Sequence, residues 1–335
     1  MTTLPMRDVD AVDAEPRRLS RKLTGADAIF VHTSRAIGAS VLVITGGIGL
    51  FLAYQSVPTL RHYGFTFFTE TQWDSNADKI GIAAVLVGTV EVALVAMFFA
   101  FPLALATALY ISEYAPPRLQ GFFVSLVDLM AAVPSIVYGL WGFFLVEPHA
   151  SELAHFVSQH LGWIPLFKVH TDANAASPDM SYYIGSVFVA AIPVAMMVLP
   201  MACAVMRQVF SQTPPGEKEA ALALGSSKWG MIKTVVLPFG KGGIIGGTML
   251  GLGRALGETI AVLLIISPEF VIKPNILERG TSTVSALIAG RFGEATGIQL
   301  SALLAAGFVL FLITLVVNSL ASIIVSRSRS GAETS

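Results

Sequence analysis

The segment TPPGEKEAALALGSSKWGMIKTVVLPFG, Thr213 to Gly240, is a polar stretch between two long apolar runs. Pro214, Pro215 and Gly216 break the chain at its start. Strong helix formers follow in EKEAALAL. Glu217 and Glu219 fall in the first turn, where the helix dipole favours carboxylates. Gly225 is a natural stop. The segment therefore predicts a short helix over 215–225 held between breakers. Ala220, Ala221, Leu222 and Leu224 give it a small-residue apolar surface, suited to a groove in a partner rather than to a core of its own.

Outward from this segment the chain is apolar in blocks. Of its 335 residues, 54% are hydrophobic and 13% charged, with a mean hydropathy of +0.71. Soluble domains carry about 25% charged residues. The surplus places the chain in a bilayer rather than in a large soluble core. Blocks of about 20 apolar residues lie at 29–54, 80–112, 121–146, 181–206, 239–267 and 299–325, which predicts an all-α integral membrane protein with six transmembrane helices. The second block is long enough to tilt or to extend past the bilayer. Pro102, Pro134 and Pro193 lie inside blocks, and each removes a backbone donor. The first apolar run is longer than a signal-peptide core and ends in QSVPTL, so it reads as an uncleaved span.

Lysine and arginine set the orientation. With the N-terminus in the cytoplasm, the inside segments are 1–28, 114–120, 207–238 and 326–335. They hold about twice as many positive residues as the longer outside loops, so both termini are expected in the cytoplasm. The tail 1–28 has no clear period and reads as flexible. Net charge is −1, which gives no argument for nucleic acid, and none is expected as a partner. Cys203, the single cysteine, excludes an internal disulfide and a cysteine metal site.

The spacing of Glu219, Ala220, Ala221, Gly225, Val235, Leu237 and Pro238 resembles the loop signature of the binding-protein-dependent ABC importer permeases. That signature is EAA, three residues, Gly, nine residues, a branched apolar residue, one residue, then Leu-Pro. Val235 stands where isoleucine is usual. FFTETQWDS (67–75), SEYAPPRLQ (112–120), AAVPSIVYGLWG (131–142) and GRALGET (253–259) are similar to the phosphate-specific members of that family. GLGRALGETIAVLLII (251–266) is closer to their C-type than to their A-type subunit. The resemblance covers nearly the whole chain from about residue 29.

It implies a type I ABC importer permease fold in a bacterial plasma membrane. Residues 29–79 form the first helix and an external loop, 80–326 the permease core, and 327–335 a cytoplasmic tail. The helix at 215–225 is implied to be the coupling helix, with Glu219, Ala220, Ala221, Gly225, Leu237 and Pro238 at the ATPase docking site. The implied partners are an A-type permease subunit, two ATPase subunits that bind ATP and Mg, and an external phosphate-binding protein. Inorganic phosphate is the cargo and the lipid bilayer the solvent. The chain has no GxxxxGK[ST] phosphate loop, so ATP hydrolysis is assigned to separate subunits and no cofactor to this chain. GLGRALG resembles a dinucleotide fingerprint only superficially, because its third glycine is misplaced and it lies in an apolar run.

Two charges interrupt that run. A charge at the bilayer centre costs roughly 2.5–3.5 kcal/mol on insertion scales and faces a bundle interior or a water-filled path. Arg254 and Glu258, with Thr259, are the expected substrate-path residues. On a continuous helix the two charges share a face at i,i+4 and partly neutralise each other, although Arg-first is the weaker order. Arginine offers five N–H donors to an anion and stays charged. For Glu258 two roles are open: holding Arg254 when the path is empty, or accepting the proton of a protonated phosphate, which sulfate lacks. Against the pathway stands a structural reading. Gly243, Gly247 and Gly251, and Gly253 and Gly257, keep a small-residue spacing that marks close helix contact, and the charges can be interhelical glue.

Glu91, Asp128 and Glu113 are weaker candidates; Glu113 reads as a solvated cap and Asp128 as an ordinary helix-start carboxylate. Tyr138 and Trp141 read as packing or interface residues. His149, His155, His160 and His170 read as solvated loop histidines without metal-ligand spacing. Other classes consistent with parts of the chain are a permease for sulfate or molybdate and an ion-coupled carrier using Arg254 and Glu258 as a proton relay. An intramembrane enzyme finds no nucleophile–base pair.

Overall fold

The computed structural model describes residues 25–170 and 180–329, and the chain divides into two compact units, 1–50 and 51–335. Most of the expected tails at 1–28 and 327–335 lie outside the described residues. Helix α1, Gly25–Tyr63, supplies the described part of the first unit and continues into the second. There Thr59 Oγ1 donates to Ser301 Oγ (2.7 Å), which donates to the Gln55 carbonyl (2.7 Å).

The second unit continues with a short helix α2 (Thr66–Thr69) and an antiparallel hairpin of β1 (Trp73–Asp74) and β2 (Lys79–Ile80). Helix α3 (Ala83–Leu109) runs on through a π-helical turn at Tyr110–Tyr114. Then come α4 (Pro117–Ala132), α5 (Ser135–Trp141) with a π turn at Gly142–Val146, and α6 (Glu147–Leu161). After them come α7 (Val187–Phe210), α8 (Pro215–Ala223) and α9 (Lys228–Met231). A third π turn at Ile232–Val236 leads to α10 (Leu237–Phe239) and α11 (Lys241–Leu256). The last described elements are α12 (Ile260–Ile265), α13 (Val284–Arg291) and α14 (Gly297–Arg329).

Among the described residues four helical stretches are long and apolar enough to cross a bilayer: α1, α3 with its π turn, α7 and α14; counting each bent pair as one span gives up to six. The bent pairs are α4 with α5–α6, at 88°, and α9–α10 with α11, at 68°. Pro134 causes the first bend. It lacks the N–H that the Met130 carbonyl would accept and pushes Val133 to an extended ψ of 128°. The Tyr138 hydroxyl donates to that freed carbonyl at 2.8 Å, so Tyr138 stitches the break.

Helix α7 is the most deeply buried of these four stretches, and α14 is far more exposed. The face that α3 buries is a stripe of alanines, Ala93, Ala96, Ala100, Ala104 and Ala108, all fully buried. Small side chains at helical spacing let two backbones approach where lipid supplies no hydrophobic drive. The α11 glycines work the same way. A Cβ on Gly243 would meet Val209, one on Gly247 would meet the Ala202 carbonyl, and one on Gly251 would meet Val198, all on α7. Gly253 faces Asn318 of α14 instead.

His149, His155 and His160 lie on α6 rather than in a loop. The imidazoles of His149 and His160 donate to carbonyls one turn back, at 2.9 Å each. Among the described residues no group of His, Cys, Asp and Glu is arranged to hold a metal ion.

Candidate substrate path and coupling site

The fifth apolar block is not one helix. Helix α11 ends at Leu256, and Gly257, exposed with φ −91° and ψ 0°, turns the chain. Its N–H donates to the Arg254 carbonyl (3.1 Å), and the Glu258 N–H donates to the Ala255 carbonyl (3.3 Å). Thr259 stands at the N-cap of α12 and its hydroxyl donates back to the Gly257 carbonyl at 3.1 Å. The buried Glu258 carboxylate accepts from the Ala261 N–H at 3.2 Å. A carboxylate just before the first turn satisfies a donor that an α-helix leaves orphaned and suits the positive end of its dipole.

This corrects the expected i,i+4 pair. Arg254 lies in the last turn of α11 and Glu258 in the break before α12, and among the described residues no salt bridge joins them. Arg254 Nε is buried and has no hydrogen-bond partner. Gly257, expected at a helix contact, instead has no neighbouring element within 4 Å of a Cβ built on it, only its own turn. Arg254, Glu258 and Thr259 thus share one helix break. Discontinuous membrane helices expose backbone and charge where a path or a bundle interior can receive them.

The polar segment that follows α7 folds as expected. Helix α8 spans Pro215–Ala223, and Gly225 has φ +85°. The Gly225 N–H donates to the Leu222 carbonyl (3.0 Å) and the Ser226 N–H to the Ala221 carbonyl (3.1 Å). This paired closure needs a left-handed residue, and glycine adopts that conformation without a Cβ clash. The Ser227 hydroxyl then accepts from the Gly230 N–H at 3.1 Å and starts α9. Glu219, Ala220, Gly225 and Pro238 are exposed, whereas Ala221 and Leu237 are half-buried against the chain's own core. Leu224 is 89% exposed, a large apolar side chain left uncovered at the end of α8.

Three features escaped the sequence reading. Glu113 is not a solvated cap: its carboxylate accepts from Lys218 Nζ of α8 at 2.6 Å, and its side chain is only 6% exposed. Glu147 is buried and accepts from the Gly185 N–H at 3.1 Å, holding a turn with φ +68°. His170 and Lys273 both bond Glu278, at 3.0 and 3.2 Å, while Lys273 also bonds Glu269 at 3.1 Å. Burial pushes the Glu278 carboxyl up, but the bonds from His170 and Lys273 outweigh it and hold it below its ordinary value. Glu113–Lys218, Glu147–Gly185 and His170–Glu278 join residues distant in sequence, so spacing carried no signal for them.

Residues 100–330 match the family described as binding-protein-dependent transport system inner membrane component. The chain belongs to this family of permeases. The permease is 37% identical over 325 residues to phosphate transport system permease protein PstC 2 of Mycobacterium tuberculosis, covering 96% of each chain. It is 40% identical over 276 residues to PstC of Mycobacterium leprae, covering 81% of this permease and 84% of that protein. With PstC of Xylella fastidiosa the identity is 38% over 303 residues, covering 90% and 91%. The chain is therefore an all-α integral membrane protein with the ABC importer permease fold, a transport component that works with other ABC subunits.

Proposed function

We propose that this chain is the C-type permease subunit of an ATP-driven importer of inorganic phosphate. The single observation that carries the reading is the likeness to proteins named PstC over nearly the full chain. The geometry supports it through Arg254, whose buried and unpartnered Nε sits at a helix break. A guanidinium there gives an anion in transit charge-assisted donors. Its hold is weak by necessity, since the anion must leave again. Glu258 keeps the start of α12 in place beside it.

In this reading an external binding protein delivers phosphate, and the path forms between this chain and an A-type permease subunit. Two ATPase subunits, which bind ATP and Mg, grip α8 and its counterpart, with the exposed Glu219, Ala220, Gly225 and Leu224 at the contact. Both termini and the α8 segment lie in the cytoplasm of a bacterial inner membrane. The test is phosphate uptake by the purified assembly in liposomes, with and without ATP and binding protein. Uptake that depends on both is expected. Uptake independent of ATP, or equal for sulfate, sinks the reading.

A further inference from the structure

We propose that the Lys218–Glu113 ion pair is the link through which movement of α8 reaches the membrane helices. The inference rests on reading α8 as the ATPase docking helix. Along α8 the side chains divide by face. Glu217 and Glu219 point to solvent, whereas Lys218 and Ala221, one turn apart, point to the body of the chain. Lys218 Nζ meets Glu113 Oε1 at 2.6 Å, with side-chain exposures of 20% and 6%. Glu113 is thus turned toward this chain and is not a group offered to a partner.

Glu113 sits in the π turn that ends α3. Such turns are rare and interrupt the regular i→i−4 ladder. The opened Ile111 carbonyl accepts from the Gln120 side chain at 3.2 Å, which anchors the turn to α4. A second contact runs in parallel, with Lys228 Nζ lying 4.8 Å from the centre of the Tyr114 ring. Ala221 makes an apolar contact with the buried cluster that includes Leu109, Ile111, Met231 and Ile232. An apolar patch can slide. A buried ion pair resists separation, because breaking it strands a carboxylate away from water. Pull or push on α8 is therefore delivered to α3. Helix α3 in turn reaches the substrate path: Met97 Sδ lies 3.3 Å from a Cβ built on Gly251, one turn before Arg254.

The pair is a positioning element, since neither residue touches cargo or nucleotide. The test uses the complete reconstituted importer and reads three quantities: ATPase subunit co-purified, ATP hydrolysed, and phosphate imported per ATP. Lys218→Met and Glu113→Gln are expected to keep the first two and to lower the third about tenfold, within the usual range of a coupling between sites. The reversed pair, Glu113→Lys with Lys218→Glu, is expected to recover most of it. Glu113→Gln leaves unpaired only the more exposed Lys218 ammonium, so it carries the test if Lys218→Met fails to assemble. Unchanged import per ATP in Glu113→Gln overturns the link, as does a reversed pair no better than the single variants. Loss of the ATPase subunit from the variants overturns it too, by moving Lys218 to the docking surface. A wild-type assembly that binds no ATPase sinks the docking reading itself, a separate failure.

Discussion

Arg254 lies in the last turn of α11 and Glu258, in the break that follows, caps α12, so two charges four positions apart in sequence flank the turn at Gly257. The cap uses one carboxylate oxygen, Oε1. Glu258→Gln keeps a carbonyl acceptor for the Ala261 N–H and should unfold within about 0.5 kcal/mol of the wild type. Glu258→Ala loses the cap and should cost about 1 kcal/mol. Thermal unfolding in detergent checks both. In transport, Glu258→Gln should weaken the preference for phosphate over sulfate. An unchanged preference would reduce Glu258 to a cap.

Arg254→Gln should abolish phosphate uptake and leave assembly intact, because its Nε bonds nothing in the described residues. Uptake assays alongside size-exclusion profiles separate the two effects. Full uptake by this variant removes Arg254 from the path, and loss of assembly instead makes it interhelical glue.

Gly225→Ala tests the α8 closure. A Cβ there meets nothing within 4 Å, so the penalty is purely the positive φ of +85°. A left-handed non-glycine residue costs roughly 1–2 kcal/mol. The membrane core should keep its melting temperature while ATPase co-purification falls. Wild-type co-purification would show that the turn is dispensable for docking.

On α11 the glycines are not equivalent. A Cβ on Gly247 would lie 2.8 Å from the Ala202 carbonyl, which is backbone and cannot step aside. Gly247→Ala should destabilise by about 1–3 kcal/mol, the usual range for overpacking. A Cβ on Gly253 meets the Asn318 side-chain amide at 2.8 Å, which can rotate, so Gly253→Ala should cost less. Melting curves of the two variants under one detergent condition decide the order.

Glu278 gives a pH dependence of known sign. Its carboxyl is held below the ordinary 4.5 by His170 and Lys273, against the push of burial. A depressed carboxylate contributes stability that is fully present above its unfolded pKa and is lost as pH falls through the folded one. Glu278→Gln should therefore melt below the wild type at pH 7, and the gap should close below pH 4.5. A gap that persists there would assign the effect to packing.

The short helix from Pro215 was legible in one dimension because its causes are local: breakers before it, helix formers within it, and Gly225 where a positive φ is required. The apolar blocks were legible for a similar reason, since crossing a bilayer needs only length and composition. Pattern also marked Gly243, Gly247 and Gly251, but only tertiary structure named α7 as the helix they meet. The sequence marked the break at Pro134 but not the one at Gly257. The run from Gly242 to Ile266 reads as one apolar block interrupted by two charges, and the chain turns at Gly257 because Thr259 and Glu258 offer the backbone other partners. Tertiary structure alone joined Glu113 to Lys218, 105 positions apart. Periodicity reports which face of a helix is apolar, whereas a buried carboxylate finds its cation only after the helices have packed.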